Sequence, residues 1–429
     1  MKVVQIIPGS GGSFYCGNCM RDSKYIAALR TQGLDIVVIP MYLPLFPQEE
    51  NKEAVPVFYG AVSLYLKTVF PFLRKAPAWV DRMLNAPSML KLAAKMANST
   101  RSTGLEGMTL SMLKGEMGQQ KQELDTLIQW LENHYQPDLI HLSNALLLGM
   151  AQPLKQALKV PVVCTLQDED VWVDAMRPEF QELTWNLMRE KAKDVDLFVS
   201  VSTYFSKRMQ ALLDLKPKQL TTLHLGVDPS DYTYVSPVKK GRSIGFLSRM
   251  CAENGLDILV DAFLLLKQKP EFSDCRLVLT GGHTSDDQKF IAQQMKKFKQ
   301  AGCLHSVDLP VMFDELHKRL FFEQVSVLSV PVRNGEAFGI YLTEAMASGV
   351  PVVQPNLGAF PEIIEKSCGG VNYGQNTPEN LAHALEKVFS DRSLLEQLAW
   401  NARKSTESTF NIRLLALKLG NLYRDLIEL

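Results

Sequence analysis

The sequence predicts an α/β protein made of two doubly wound domains, each built on a parallel sheet. Two observations support this prediction. Short apolar runs recur along the chain, and several of them end in glycine or polar residues, as buried parallel strands do. The alternation of predicted strands and helices stops near Tyr234 and starts again after a linker over residues 235–241.

Composition limits the functional classes. The 429 residues fit two or three domains, and the 46 basic residues balance the 46 acidic ones, so no nucleic-acid partner is expected. The 7 cysteines are scattered and odd in number, as in a reducing compartment. No signal-peptide pattern follows Met1, and no apolar run is both long and unbroken enough to span a bilayer; the closest candidate, 55–73, is interrupted by two prolines and a lysine. The expected location is the cytoplasm.

The first domain opens with a strand over 3–7, a glycine-rich turn, a helix over about 19–30 and a strand over 36–39. Gly11 and Gly12 would let the backbone approach a ligand at the end of the strand, and a plain tight turn is the equal alternative. Cys16 and Cys19 form a C-x-x-C pair. Because no second Cys/His pair has a suitable spacing, we favour a packed turn in which Asn18 caps the helix over a redox or zinc site.

Residues 42–131 interrupt this alternation and end in an amphipathic helix over 119–131. A segment of this length is predicted to be an insertion over the mouth of the site or a helical subdomain. Its aromatic residues form the core of the insertion in the favoured interpretation. In the alternative they touch a membrane surface as part of an acceptor-binding cover; they include Phe58, Tyr59, Tyr65, Phe70, Phe72 and Trp79.

The remaining pattern completes both domains. Further strands are predicted over 138–144, 160–166, 196–200, 220–225, 243–246, 276–280, 325–330 and 350–354, and helices over 256–267, 381–389 and 412–427. The predicted limits are 1–234 for the first domain, 241–408 for the second, and 409–429 for a C-terminal helix that packs back toward the first domain.

Chemistry-bearing residues of the second domain follow its strands. Arg249 follows the first strand, and the segment 334–349 follows the apolar run 325–330 and becomes a helix. Free N–H groups at a helix start bind phosphate, so Arg249 and the N–H groups of 339–342 are predicted to hold a diphosphate. Glu344, inside the helix, would bind ribose hydroxyls, and Glu336 would face a sugar. Helix capping alone would explain Glu336 but not the other residues.

The run from Glu336 to Val353 resembles the E-x7-E motif of retaining glycosyltransferases of family 4 (glycosyl transferases group 1), which have the GT-B fold. The run from Gly358 to Ile363 resembles the G-x-P-E-I/V segment that follows it. The resemblance covers nearly the whole chain, and the insertion is the least typical part. It implies two Rossmann-like domains that face each other across a cleft, with a helical insertion in the first.

The resemblance also implies residue roles. Glu336 and Arg249 would be catalytic, the first contacting the transferred sugar and the second neutralising the leaving diphosphate. The donor would be bound by Gly11, Gly12, Arg249, Asn254, Gly282, Glu336, Phe338, Gly339, Ile340, Tyr341, Leu342 and Glu344. The acceptor side would carry Ser13, Asn18, Asn144, Gln167 and Asp168.

The resemblance implies a UDP- or GDP-linked sugar as co-substrate, no metal and no other cofactor, and transfer with retention. The acceptor would be a saccharide, a lipid-linked molecule or a small molecule, and the enzyme would be cytoplasmic or peripheral at the inner membrane face. Two alternatives stay open. One is a catalytically weak GT-B protein that binds nucleotide-sugar or a partner as a scaffold, and the other is a nucleotide-sugar epimerase.

Three positions depart from the family pattern. Asn254 stands where the family has the diphosphate lysine, and Arg333 and Lys366 are candidate replacement cations. Gln167 and Ser143 stand at positions where histidine is common. His141 is predicted to be a buried structural histidine. The run 168–170 has the D-x-D form of a Mn²⁺ site, although carboxylates that face the acceptor are favoured.

Overall fold

The computed structural model describes residues 1–8, 17–41, 105–310 and 314–428. It divides into two compact units. The first comprises the described residues of Met1–Gly12, Asn18–Leu223 and Ala416–Leu429, and the second includes His224–Leu415. The predicted domain limits at 234 and 241 stay predictions, because a compact unit and an independently folding domain are different things. Most of the predicted insertion, residues 42–104, lies outside the described residues.

The first unit contains a parallel sheet of six strands in the order β2-β1-β3-β4-β5-β6. The central strands are almost completely buried because helices cover both faces of the sheet, whereas the edge strand β6 is half-buried throughout. The strands are β1 (Lys2–Ile7), β2 (Asp35–Pro40), β3 (Leu139–Leu142), β4 (Val162–Leu166), β5 (Leu197–Ser200) and β6 (Leu220–Thr222).

Seven helices of this part of the described chain connect those strands. They are α1 (Gly17–Thr31), α2 (Glu106–Leu113), α3 (Lys121–Trp130), α4 (Ala151–Leu158), α5 (Glu169–Asp174), α6 (Pro178–Lys191) and α7 (Thr203–Leu213). Helix α1 begins at Gly17, so Asn18 is its second residue. The prediction that Asn18 caps this helix is wrong, since a capping residue precedes the first helical one.

The second unit contains another parallel six-stranded sheet, in the order β12-β11-β10-β7-β8-β9. The chain moves outward from β7 to β9, crosses back to β10 and then moves outward on the other side. The order therefore reverses between β7 and β10, the point where doubly wound sheets bind ligands. The strands are β7 (Ser243–Leu247), β8 (Arg276–Thr280), β9 (Val307–Asp308), β10 (Val327–Leu328), β11 (Val352–Pro355) and β12 (Gly370–Tyr373).

The helices of the second unit cover both faces of its sheet with apolar side chains, among them the fully buried Phe263, Phe298, Phe322 and Phe360. The helices are α8 (Leu256–Lys267), α9 (Gln288–Gln300), α10 (Glu315–Gln324), α11 (Ile340–Ala347), α12 (Phe360–Ser367), α13 (Pro378–Ser390) and α14 (Arg392–Glu407). A last helix, α15 (Ile412–Glu428), begins in this unit and passes into the first at Ala416. Two doubly wound, Rossmann-like units confirm the predicted fold class.

Most of α15, from Ala416 onward, belongs to the first unit, where its Tyr423 contacts His141. The ring of His141 is 3% exposed, and its two nitrogens contact the hydroxyls of Tyr423 at 2.5 Å and Thr165 at 2.8 Å. His141 is thus a buried histidine with both nitrogens engaged, as predicted. Across the described ranges, no helix is both long and apolar enough to cross a membrane.

Candidate functional site

The loop after β10 leads into α11 through Gly339. This glycine has φ +86°, a left-handed conformation that other residues adopt only with strain. A Cβ added there would lie 3.1 Å from Glu336 Oε2, so the half-buried Glu336 carboxylate lies against the start of the helix. All eight residues of α11 are buried. The sequence therefore forms a rigid helix start with a carboxylate beside it.

The backbone of Glu336 is held by the loop that precedes α12. The Ala359 N–H donates to the Glu336 carbonyl at 3.0 Å. A Cβ added at Gly358 would lie 2.6 Å from both the N and the O atom of Glu336. The two sequence motifs, 336–344 and 358–363, thus meet at Glu336 itself.

The predicted donor-binding residues around Gly339 have buried side chains. Phe338, Ile340, Tyr341 and Leu342 are at most 3% exposed, so they offer their backbone and not their side chains to a ligand. The Leu342 N–H donates to the Gly339 carbonyl at 3.0 Å. The prediction that every N–H group from 339 to 342 is open to a diphosphate is therefore wrong at Leu342.

The second acidic residue of the motif, Glu344, is fully buried and bound by two side chains that the sequence analysis missed. Lys318 Nζ lies 2.7 Å from Glu344 Oε1, and the Tyr232 hydroxyl donates to the same oxygen at 3.0 Å. Lys318 also contacts Glu315 at 2.9 Å. The ribose role of Glu344 stays a prediction, and it requires the hydroxyls to reach a carboxylate that already holds a lysine and a tyrosine.

A sequence signal for Lys318 did exist. On a helix, residues three and four apart lie on one face, and Lys318 shares its face with Phe321 and Phe322, both of which are buried. A lysine on such a face needs a buried carboxylate partner. What the sequence did not contain was the identity of that partner, because Glu344 belongs to a different helix.

Arg249, which follows β7, forms a two-bond ion pair with Asp287. Its Nε donates to Asp287 Oδ2 and its Nη2 to Oδ1, each at 2.8 Å. The side chains are 19% and 5% exposed. The hydrogen bond to Asp287 raises the pKa of Arg249 above its usual value. Burial raises the pKa of Asp287, but hydrogen bonds from Arg249 and Thr284 outweigh burial and hold it below its usual value.

Asn254, at the position of the family lysine, stabilises the same loop. Its amide group donates to Ser248 Oγ at 2.8 Å and to the Arg249 carbonyl at 3.1 Å. Its donating amide nitrogen is thus committed to the protein, and Asn254 carries no charge. The predicted donor-binding role of Asn254 stays a prediction. In that role, Asn254 would act through the loop that carries Arg249, which its amide group holds in place.

The two candidate replacement cations differ in their surroundings. Arg333 Nη2 lies 2.5 Å from Asp257 Oδ2, and its Nε donates to the Ala252 carbonyl at 2.9 Å. Lys366 is exposed in the last turn of α12. Arg333 is therefore paired with an aspartate, as Arg249 is, and the role of Arg333 or Lys366 as a replacement cation stays a prediction.

The loop after β8 packs against the Arg249 loop. A Cβ added at Gly281 would lie 2.3 Å from the Ser248 carbonyl oxygen, and the Gly282 carbonyl accepts from the Met250 N–H at 3.0 Å. Gly282 itself has φ +76°. The loops after β7 and β8 are thus one closely packed surface at the carboxyl edge of the sheet.

In the first unit, the ends of β3 and β4 meet through Gln167. The Gln167 amide donates to the Ser143 carbonyl at 2.7 Å, while its buried Oε1 has no hydrogen-bond partner in the described part of the chain. Asn144 accepts from the Leu146 N–H at 3.0 Å and so caps a short 3₁₀ turn. The predicted acceptor-side residues Asn144, Gln167 and Asp168 therefore lie on two adjoining loops.

Glu169 connects those loops and was missed as a functional candidate. Its Oε1 accepts from the Ala145 N–H at 2.9 Å and its Oε2 from the Gln167 N–H at 2.6 Å. Burial raises the pKa of Glu169 to about 8. Asp170 instead pairs with Arg208. In the described residues, no group of three or more possible metal ligands occurs.

Some predicted residues lie outside the described ranges. They are Gly11, Gly12 and Ser13, together with Cys16 and the aromatic residues predicted over 58–79. Their predicted roles in donor, acceptor or membrane contact stay predictions.

Two family models match the chain. The model described as "Glycosyl transferases group 1" matches residues 235–405, and "Glycosyltransferase Family 4" matches residues 115–231. Two Rossmann-like units, with the E-x7-E segment at the switch point of the second, define a glycosyltransferase of the GT-B class. The chain belongs to the group 1 glycosyltransferases of family 4 type.

Curated relatives are distant. An uncharacterized glycosyltransferase of Methanocaldococcus jannaschii is 22% identical over 244 residues, which span 54% of this chain and 60% of that protein. The glycogen synthase of Mycobacterium tuberculosis is 21% identical over 300 residues, which span 68% of this chain and 70% of that protein.

Solved structures share the fold over the full length. Anabaena HepE in complex with UDP aligns with a TM-score of 0.69 at 15% identity, covering 99% of this chain and 100% of that chain. Sucrose-phosphate synthase from Thermosynechococcus elongatus aligns with a TM-score of 0.70 at 16% identity, covering 100% and 99%. At these identities the similarity establishes the GT-B fold alone.

Proposed function

We propose that this protein transfers a sugar from a UDP- or GDP-linked donor to an acceptor, with retention of configuration and without a metal ion. The observation that carries this proposal is the arrangement at the switch point of the second unit. There, the start of α11, the Glu336 carboxylate and the loop of Arg249 follow adjacent strands β10 and β7. The structure of HepE in complex with UDP supports a nucleotide-sugar donor.

In this proposal the diphosphate binds between Arg249 and the start of α11, where the N–H groups of Gly339 and Ile340 precede the first intrahelical bond. Positive charge and a helix start stabilise the negative charge that develops as the glycosidic bond breaks. The acceptor hydroxyl attacks from the face that the diphosphate leaves. The departing phosphate oxygen takes the proton of that hydroxyl, so no separate protein base is needed.

Glu336 is assigned to the transferred sugar. Its carboxylate lies outside the helix start, and its backbone is fixed by Gly358 and Ala359. A carboxylate there can accept hydrogen bonds from sugar hydroxyls and stabilise an oxocarbenium-like transition state. Glu344 is assigned to the ribose, in keeping with its place in the same motif.

The first experiment is a thermal-shift screen with UDP, GDP and their sugar derivatives in the presence of EDTA. Ligand at a hundredfold excess over Kd stabilises a protein by about 2.7 kcal/mol. A shift with one nucleotide family, followed by turnover of its sugar derivative, supports the transferase. No shift with any of them contradicts the proposal.

Product analysis separates the transferase from the alternatives. An epimerase converts the donor without an acceptor, and a scaffold binds nucleotide-sugar without any turnover. A transferase releases the nucleoside diphosphate and, when an acceptor is present, forms a glycoside.

A further inference from the structure

We propose that Asp287 is a positioning residue that determines which edge of the Arg249 guanidinium meets the donor diphosphate. This inference rests on the proposed function, since it assigns a second residue to the same phosphate contact. Asp287 does not follow from the E-x7-E motif, and it lies immediately before α9, where no site residue was predicted.

The geometry fixes the plane of the guanidinium. Arg249 bonds both oxygens of Asp287, at 2.8 Å each, and two parallel hydrogen bonds of this kind allow little rotation. Asp287 is itself immobilised. Its Oδ2 also accepts from the N–H and the hydroxyl of Thr284, again at 2.8 Å each.

The pairing leaves one edge of Arg249 for a ligand. A guanidinium carries five N–H donors on two edges, and Asp287 occupies the edge formed by Nε and Nη2. Nη1 has no hydrogen-bond acceptor among the residues that the structure describes. Nη2 also has a long contact of 3.5 Å with the Thr284 hydroxyl oxygen, beside the Asp287 carboxylate. The edge formed by Nη1 and Nη2 matches the spacing of two phosphate oxygens.

The backbone beneath Arg249 is fixed as well. The Met250 N–H donates to the Gly282 carbonyl, and the Asn254 amide donates to the Arg249 carbonyl. Because both the backbone and the guanidinium of Arg249 are held in place, the edge that remains for a ligand points in one fixed direction. An ordinary surface pair, Arg242 with Asp274, looks different: it has a single bond of 2.9 Å between side chains that are 36% and 60% exposed.

Two possible roles of Asp287 predict opposite changes in diphosphate affinity when its carboxylate is removed. If the carboxylate only cancelled the charge of Arg249, its removal would strengthen diphosphate binding. If it positions Arg249, its removal weakens that binding although the net positive charge rises. The sign of the effect therefore separates positioning from charge cancellation.

The test measures binding of UDP and uridine, or of GDP and guanosine if the donor screen selects guanine, by calorimetry. Asp287→Asn is expected to weaken the nucleoside diphosphate about tenfold, the size that a charge-assisted hydrogen bond supports, and to leave the nucleoside unchanged. Asp274→Asn is the matched control, because it removes the carboxylate from the exposed pair with Arg242. This control is expected to bind within about twofold of wild type.

A double-variant comparison tests whether Asp287 acts through Arg249. In an Arg249→Ala background, Asp287→Asn is expected to have no further effect on diphosphate affinity, because there is no guanidinium left to position. If Asp287 had only a structural role, Asp287→Asn would weaken diphosphate binding in both the wild-type and the Arg249→Ala background. Melting temperatures of all variants identify any that fail to fold, and Asp287→Glu, which keeps the charge, is expected to recover part of the affinity.

The outcomes are distinguishable. If wild-type protein binds neither nucleoside diphosphate, the proposed function is overturned and the role of Asp287 with it. If wild type binds but Asp287→Asn binds equally or more tightly, only the positioning role is overturned. The same holds if the loss caused by Asp287→Asn persists in the Arg249→Ala background.

Discussion

Lys318 and Glu344 form an ion pair of 2.7 Å in the interior of the second unit, with side chains that are 1% and 0% exposed. Removing two charges from water is costly unless further hydrogen bonds satisfy them. Tyr232 and Glu315 supply such bonds. The second acid of the motif is thus held by a lysine and a tyrosine from separate segments, and the pair links α10 to α11.

Removing the lysine alone should therefore destabilise the protein. Lys318→Met is expected to lower the free energy of unfolding by about 3–5 kcal/mol, because it leaves the Glu344 carboxylate buried without its cation. Urea unfolding monitored by circular dichroism measures the change.

Two controls accompany this prediction. Lys297→Met removes the exposed partner of Asp261, a pair 36% and 41% exposed, and should cost at most about 1 kcal/mol. Adding Glu344→Gln to Lys318→Met should recover part of the loss, since no unpaired charge remains. Equal unfolding curves for Lys318→Met and wild type would show that the pair contributes nothing.

A second prediction concerns Gly358, against which Glu336 is packed. Gly358→Ala places a Cβ 2.6 Å from backbone atoms of Glu336, at φ +58°. We expect it to displace Glu336 and to reduce turnover by about tenfold or more, because small misplacements at a reacting centre are costly. Steady-state turnover of the selected donor measures the effect.

Gly302 offers a matched control. It has φ +69°, and a Cβ added there would have no neighbour within 4 Å. Gly302→Ala thus carries the conformational strain, about 1 kcal/mol, without the clash. It should lose stability and keep its turnover. Comparable turnover in Gly302→Ala and Gly358→Ala would refute a special role for Gly358.

A third prediction concerns pH and Glu169. Burial raises its pKa from 4.5 to about 8, so the folded state holds a proton between these values that the unfolded state releases. The associated stability is fully present below about pH 4.5 and is lost as the pH rises toward 8. Over this window the free energy of unfolding of the wild type should fall by up to about 1.4 kcal/mol per pH unit relative to that of Glu169→Gln.

Chemical unfolding of both proteins between pH 5 and 8 measures this difference. Glu169→Gln should be less stable than wild type at pH 5, because the new amide nitrogen faces the N–H group of Ala145 or Gln167 and cannot accept its hydrogen bond. The difference in unfolding free energy between the two proteins should become smaller as the pH rises. Parallel pH profiles for the two proteins would mean that Glu169 is ionised throughout.

Much of the fold was predictable from local patterns. The central strands of both sheets are short, nearly continuous apolar runs, and the predicted limits of β8 and α8 agree with the structure. The edge strands β9 and β12 were missed. Their residues are mostly half-buried, so they lack the apolar run that marks a strand covered on both faces.

The site was predictable only in part, for a different reason. Glu336, Glu344 and Arg249 belong to contiguous motifs, so their chemistry can be inferred from sequence spacing. Asp287 and Lys318, by contrast, are pairing partners chosen by tertiary packing over 38 and 26 residues. No local pattern specifies which distant carboxylate or lysine will meet a motif residue.

The most direct test of the proposed transferase compares wild type with Glu336→Ala, using the donor selected by the binding screen, in EDTA, with donor consumption and products followed by NMR. The proposal predicts wild-type turnover that falls by about a hundredfold or more in Glu336→Ala, as expected when a group that stabilises the transition state is removed. Glu365→Ala, at an exposed position on α12, should retain activity. Undiminished transfer by Glu336→Ala would contradict the account.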